Sequence, residues 1–239
     1  MIAAMTRAAV PWILVAVVAN APAVAAQRAQ TPPANSGATS STIGFRLVPA
    51  ASHVSYSVDE VFIEENNRFF TAVGKTAGLS GEILLHTAHP NPSRVRNISV
   101  DLRTLTSDSE RRDRAIRERF LESRRYPYAR VDSAIITGLP GHLTPGRAFA
   151  FQLTGALNVH NVTRPTTWRG EATLSGDTLR GKATTQVRMS QFDIEVPRFL
   201  WLRVADAVKL EITFVAVKDS ARAAGAPAYD PTPSSGGQR

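Results

Sequence analysis

The chain has 239 residues, a formal net charge of +8 and no cysteine. The lack of cysteine excludes disulfides, thiolate catalysis and cysteine-ligated metal sites. The excess of basic side chains predicts weak attraction to anionic membrane surfaces or polyanions. With both ends set aside, about 180 residues remain, which is enough for one domain with a sizeable core.

Both ends of the chain differ in composition from its centre. Residues 1–26 contain an early arginine, an apolar run and a small-residue end, which predicts a cleaved signal peptide and a periplasmic or secreted protein. Residues 27–41 and 220–239 are rich in Pro, Gly, Ser and Ala and predict a flexible linker and a disordered tail. The folded domain is therefore expected at 42–219.

The centre of the chain alternates apolar and polar residues with the period of two that is typical of β-strands. In residues 149–159 the large apolar side chains all fall on one face. Residues 69–75 and 79–85 are predicted to form a hairpin around 76–78. About eight to ten one-sided strands joined by short turns predict an all-β domain, an antiparallel sheet closed into a barrel or sandwich.

One segment departs from this pattern. Residues 111–131 hold eight arginines, and Asp108 or Ser109 can cap a short helix there. Ile116 and Phe120 lie four residues apart and would face the sheet. The segment is either a nucleic-acid-binding helix or a cover over one end of a barrel. Because its aromatic residues do not interleave with the arginines and the protein is expected to be exported, no nucleic-acid partner is predicted.

Residues suited to enzyme chemistry are sparse. His86 and His89 have an HxxH spacing but lie around a proline-rich loop, so no metal site is expected. His53 and His160 could act as bases, but no nucleophile elbow, phosphate loop or dinucleotide glycine pattern accompanies them. No catalytic residue, metal or cofactor is predicted.

Several short motifs follow one another in an informative order. A signature of the type RD…FF…YP corresponds to Arg112-Asp113, Phe120-Leu121 and Tyr126-Pro127. Further matches within residues 45–218 are His53-Val54-Ser55-Tyr56, the run GALNVHNVTRP at 155–165, Phe192-Asp193-Ile194 and Asp206-Ala207-Val208. Together they resemble the YceI-like family of exported lipid- and polyisoprenoid-binding proteins. The resemblance implies a lipocalin-like extended antiparallel β-barrel with a short helical insertion, whose hollow interior binds a long isoprenoid or acyl chain.

The sequence departs from the family pattern at four positions. Ala115 stands where histidine is common, and Leu121 replaces the second aromatic residue of the FF pair. Met189 stands where many members have arginine, and Asp193 replaces a glycine. Any contact that the missing histidine or arginine would make with a polar headgroup is therefore absent.

The resulting hypothesis is an exported, non-catalytic protein that holds a polyisoprenoid, an isoprenoid quinone or a fatty-acyl lipid inside the barrel. Each buried CH₂ would contribute about 0.8 kcal/mol to binding. Arg112 and Asp113 are candidate headgroup contacts or a structural ion pair. One alternative is an enzyme of envelope or isoprenoid metabolism that uses His53 or His160 as a base. The other is a filled barrel that acts as a pocketless basic surface-interaction protein. A second copy of the chain is a candidate partner, in a homodimer. The predicted ligand-binding residues are Ile98, Val100, Phe120, Phe149, Phe151, Leu153, Leu157, Phe192, Leu210, Ile212 and Phe214.

Overall fold

The structure is a computed structural model that describes residues 42–86 and 89–219. The predicted signal peptide, linker and C-terminal tail fall outside these residues and stay predictions. Within the described ranges, no helix is long and apolar enough to span a membrane.

The described residues are mainly β-strand, as the alternating pattern predicts. The strands are β1 (Thr42–Leu47), β2 (His53–Phe62), β3 (Arg68–Thr76), β4 (Leu79–His86), β5 (Ser93–Asp101), β6 (Thr106–Ser107), β7 (Tyr128–Thr137), β8 (Ala148–Val159), β9 (Val162–Ser175), β10 (Thr178–Arg188) and β11 (Leu202–Lys218). The short helix α1 (Glu110–Ala115) continues into a π-helical turn, Ile116–Phe120. Short 3-10 turns occur at Pro49–Ala51, Leu102–Thr104 and Met189–Phe192.

The strands form a closed antiparallel barrel. Hydrogen bonds run in the order β1, β4, β5, β7, β8, β9, β10 and β11, and β1 pairs back with β11 to close a ring of eight strands. Closure leaves no edge open in the ring, which confirms the predicted barrel. The last strand, β11, has 17 residues. Its C-terminal end pairs with β1, and its remainder pairs with β2, from which β3 and β6 continue the sheet.

The predicted hairpin between residues 69–75 and 79–85 is wrong. β3 pairs with β2 and β6, whereas β4 pairs with β1 and β5. The chain therefore does not turn back on itself at Gly78. It leaves β3, which lies beside β2, and enters β4, which lies beside β1. A Cβ atom on Gly78 would lie 2.8 Å from the Cβ of Asp101, so the glycine permits this close passage. The reversal occurs instead in the polar segment 63–67.

The helical insertion is anchored to the sheet by its first turn. Ser109 caps α1, because its side chain accepts a hydrogen bond from the Arg112 N–H at 3.4 Å. Asp113 is buried and accepts hydrogen bonds from the N–H and Oγ of Ser107 at 2.8 and 2.6 Å. Since Ser107 lies in β6, which pairs with β3, the carboxylate ties the helix to the sheet. Phe120 is buried, as its predicted inward position requires.

Candidate functional site

The interior of the barrel contains a cavity of about 460 Å³. This volume lies within the range of roughly 300–1,000 Å³ that is usual for small-molecule sites. Side chains from β2, α1, β10 and β11 contribute to a lining that is mostly apolar. The barrel is therefore hollow at this end, which contradicts the alternative of a fully packed interior.

The predicted ligand-binding residues divide between this cavity and a smaller one of about 80 Å³. Those that border the large cavity are Ile98, Val100, Phe120, Leu157, Phe192, Leu210 and Ile212. Those that border only the small cavity are Phe149, Phe151, Leu153 and Phe214. Ile98 and Ile212, in the first of these groups, also border the small cavity. Whether either group binds a ligand stays a prediction.

A tryptophan that sequence reasoning missed separates the two cavities. Trp168 in β9 is 4% exposed and borders both cavities. Ile98, Val131 and Ile212 also border both, so these four side chains form the partition between them. The alternation in β9 could have identified Trp168, because Thr166, Trp168 and Ala172 are buried while their odd-numbered neighbours 167, 169 and 171 are exposed.

Polar groups face the large cavity from β2 and α1. Glu60 is 6% exposed, and its Oε2 lies 3.7 Å from Nη2 of Arg112. Arg112 also forms a hydrogen-bonded ion pair with Asp108, and its guanidinium lies over the ring of Phe70 at 5.6 Å. Within the described residues, Tyr56 Oη and Glu60 Oε2 are buried without a hydrogen-bond partner. These two oxygens can therefore bind a polar atom that enters the cavity.

The apolar surroundings of this polar group raise the pKa values of its two acids, Tyr56 and Glu60. Burial raises the pKa of the Tyr56 hydroxyl to about 12. Burial also raises the pKa of the Glu60 carboxyl, an effect that the attraction of Arg112 opposes and the nearby charge of Asp108 reinforces. Tyr56 is therefore a neutral hydrogen-bond donor at physiological pH.

The interpretation of Arg112 and Asp113 as an ion pair with one another is wrong. Consecutive residues on a helix point about 100° apart, and the two side chains accordingly find different partners. Arg112 borders the cavity and pairs with Glu60 and Asp108, whereas Asp113 binds Ser107 beneath the helix. Of the two, only Arg112 is placed where a ligand headgroup could reach it.

Three departures from the family pattern, Ala115, Leu121 and Met189, border the cavity. Ala115 on α1 and Met189, just after β10, both contribute apolar surface to its wall. Besides the polar residues of β2 and the first turn of α1, the exposed Arg130 on β7 and Arg188 on β10 also border the cavity. Leu121 also lies on the cavity wall, and Asp193 occupies the left-handed region at φ 54°.

The two histidines considered as bases do not border either cavity. His53 is exposed at the start of β2. His160 has its Nε2 3.2 Å from Oε1 of Glu122 and its ring 4.6 Å from that of Tyr126 in an edge-on contact. With φ values of 53° and 62°, His160 and Asn161 form the two-residue turn between β8 and β9. His160 thus joins this turn to the end of the helical insertion.

Aromatic side chains surround one end of the large cavity. The rings of Phe199 and Trp201 stack at 5.2 Å, and Trp201 stacks on Phe62 at 6.4 Å. All three border the cavity. Leu200, between Phe199 and Trp201 in the sequence, is 94% exposed, and Phe69 on β3 is 80% exposed. We call these five residues the aromatic rim.

Comparison with known proteins agrees with this architecture. A family model described as the YceI-like domain matches residues 45–216. A polyisoprenoid-binding domain from Saccharophagus degradans implicated in plant cell wall breakdown has a similar fold, with a TM-score of 0.52, 13% identity, and coverage of 73% of this chain and 98% of that chain. BcnA of Burkholderia cenocepacia has a similar fold, with a TM-score of 0.52, 16% identity, and coverage of 72% of this chain and 99% of that chain.

At these identities the two structures support the fold alone. No curated protein sequence matches the chain. The family match covers the barrel from β1 into β11 and includes the motif positions in the helical insertion. The chain therefore belongs to the YceI-like domain family.

Proposed function

We propose that this protein is an exported, non-catalytic binding protein that holds a polyisoprenoid, an isoprenoid quinone or a fatty-acyl lipid inside its barrel. The observation that carries the proposal is the mostly apolar cavity of about 460 Å³. Transfer of an apolar chain from water into such a cavity is favourable by about 0.8 kcal/mol per CH₂ group. The similar fold of a polyisoprenoid-binding domain supports the choice of ligand class.

The polar group beside α1 suits the head of such a ligand. Tyr56 Oη can donate a hydrogen bond, Arg112 can donate several, and Glu60 can accept one when ionised. A hydroxyl at one end of an isoprenoid can both accept from Tyr56 Oη and donate to Glu60 Oε2, whereas a carbonyl can only accept from Tyr56 Oη. The chain would then extend past Ile98 and Leu210 toward Trp168. A hydrocarbon without a polar head should bind less tightly.

Uptake by delipidated protein tests this arrangement. An isoprenoid quinone bound beside Trp168 should quench tryptophan fluorescence, and Tyr56→Phe should weaken binding by about fivefold, as expected for the loss of roughly 1 kcal/mol of hydrogen bonding. Phe is matched to Tyr in shape, so the apolar contact is kept. If the quinone, a polyprenol and a fatty acid all fail to bind, the proposal is wrong.

Export is proposed from the composition of residues 1–26 and has its own test. The chain of 239 residues, expressed without an added leader, should be recovered outside the cytoplasm and shortened by about the length of a signal peptide. Recovery of the uncut chain from the cytoplasm would contradict export without affecting the lipid-binding proposal.

A further inference from the structure

The aromatic rim belongs to two short chain reversals that lie side by side. The residues between β2 and β3 form one, which Phe62 and Phe69 flank, and residues 198–203, which include the start of β11, form the other. The Ile63 N–H donates to the Trp201 carbonyl at 3.0 Å, and the Phe199 N–H donates to the Leu202 carbonyl at 3.1 Å. These backbone bonds hold Leu200 at the tip of the second reversal. The large exposed side chains are thus presented by a hydrogen-bonded framework.

Two arginines stand opposite each other at the base of this tip. Arg198 and Arg203 form an antiparallel bridge, and both are exposed. Like charges directly opposite each other in a sheet repel. Among the described residues, no carboxylate lies within ion-pair distance of either one. An anionic partner outside the chain would relieve this repulsion.

The arginines share a face with exposed apolar side chains. In the strand register, Arg203 pairs with Val61, and Val61 pairs with Phe69. Residues paired across neighbouring strands project from the same face of a sheet. The outer surface therefore carries a row that runs from arginine to valine to phenylalanine. Acidic residues lie in the adjacent turn at Glu64 and Glu65, but Glu65 is paired with Arg68 at 2.7 Å.

Exposed Trp, Phe and Leu next to arginine are the side chains that anchor proteins at membrane interfaces. Phe62, Phe199 and Trp201 border the cavity as well, so apolar surface is continuous from Leu200 into the barrel. We propose that the aromatic rim, with Arg198 and Arg203, is a docking surface for an anionic lipid bilayer. Docking would place the mouth of the cavity against the bilayer. A role for this placement in lipid binding rests on the proposed function.

Vesicle flotation tests the docking surface directly. Wild-type protein should float with vesicles of phosphatidylcholine and phosphatidylglycerol at low salt and much less with phosphatidylcholine alone. Binding should fall as salt shortens the screening length toward about 3 Å near 1 M. The double variant Leu200→Ser, Phe69→Ser should weaken binding by roughly tenfold or more through lost apolar burial. Neither residue borders a cavity, so cargo should be unaffected.

The test of charge at the rim, and the test of the rim's position, each have a matched control variant at the other end of the barrel. Arg198→Gln with Arg203→Gln should weaken binding to anionic vesicles and flatten its salt dependence. Arg94→Gln and Ile135→Ser remove exposed side chains of the same kinds from β5 and β7. These control variants should float like the wild type.

The outcomes separate this inference from the proposed function. Wild-type protein that does not float, or a rim variant that floats like the wild type, overturns the docking surface. A dimer in sedimentation equilibrium that the rim variant dissociates, without vesicle binding, also overturns it and assigns the rim to a second copy of the chain. Rim-dependent flotation by a protein that never contains extractable lipid leaves docking standing and contradicts the proposed function.

Discussion

Arg112 on α1 reaches Glu60 on β2, with 3.7 Å between Nη2 and Oε2, at the wall of a mostly apolar cavity. This contact brings the helical insertion and the first long strand together around the polar group of the site. It is also asymmetric, because Arg112 has a second carboxylate in Asp108 whereas Glu60 Oε2 has no hydrogen bond within the described residues.

Glu60→Gln should change how stability depends on pH. Burial raises the pKa of the Glu60 carboxyl, so the folded protein keeps a proton that the unfolded chain has already released. The free energy of unfolding therefore falls as pH rises through and above the usual glutamate range. This contribution disappears in Glu60→Gln. Urea denaturation at a series of pH values measures it, with the exposed Glu171→Gln as control. Identical pH profiles for wild type and Glu60→Gln would argue against a buried carboxyl.

Tyr56 should ionise only at strongly alkaline pH in the folded protein. Its hydroxyl has a pKa of about 12, so the unfolded chain loses this proton near pH 10 and the folded chain does not. Stability should consequently fall between about pH 10 and 12. A titration followed by phenolate absorbance should contain a late step that Tyr56→Phe removes. If Tyr56→Phe instead removes a step near the usual tyrosine pKa of about 10, the hydroxyl is solvated.

Gly74 should not tolerate alanine. It pairs with Tyr56 across β2 and β3, and a Cβ atom there would overlap the Tyr56 ring. Gly74→Ala must displace the ring or the strand and should lower the unfolding free energy by about 1–3 kcal/mol. In a Tyr56→Ala background, where the ring is absent, Gly74→Ala should lower the unfolding free energy by a smaller amount. Denaturant unfolding of the four proteins measures the coupling, and additive effects would contradict the contact.

Trp168→Ala should join the two cavities. The substitution removes the largest side chain of the partition and should lower the unfolding free energy by about 3–5 kcal/mol. If the ligand is a chain that ends at Trp168, extracted lipids should shift toward greater length. Trp168→Phe keeps most of the partition and should keep the wild-type lengths. An unchanged length distribution in Trp168→Ala would show that the chain does not reach this point.

Asp113 should stabilise the helical insertion through Ser107 alone. Asp113→Ala removes two hydrogen bonds to a buried carboxylate and should cost about 2–3 kcal/mol of unfolding free energy. Arg114→Ala changes an exposed neighbour on the same helix and should have little effect. In a double-mutant cycle, Ser107→Ala should add little once Asp113 is gone. Full additivity would mean that the two residues act separately.

The barrel was accessible from the sequence because its strands are one-sided. In β8 the alternation alone places Phe149, Phe151 and Leu153 inside. Local pattern could not reveal how the strands pair, which is why 69–75 and 79–85 suggested a hairpin. That pairing depends on contacts distant in sequence, such as those of β4 with β1.

The site was less accessible for a related reason. Period-two alternation assigns a side chain to the interior but gives no position along the barrel axis, so it could not separate the large cavity from the small one. The alternation in β9 places Trp168 inside the barrel, but it does not show that this side chain separates two cavities. The partners of Arg112 come from β2 and from the turn before α1, and only the folded chain brings them together.

The most direct test of the central claim is the lipid content of the purified protein. Val58 borders the large cavity, and Val58→Trp should fill it. Val73 points outward from β3 and is 49% exposed, so Val73→Trp is a matched control. Organic extraction followed by mass spectrometry should find an isoprenoid or acyl lipid in wild type and Val73→Trp and a much smaller amount in Val58→Trp. Equal lipid in all three proteins, or none in the wild type, would contradict the account.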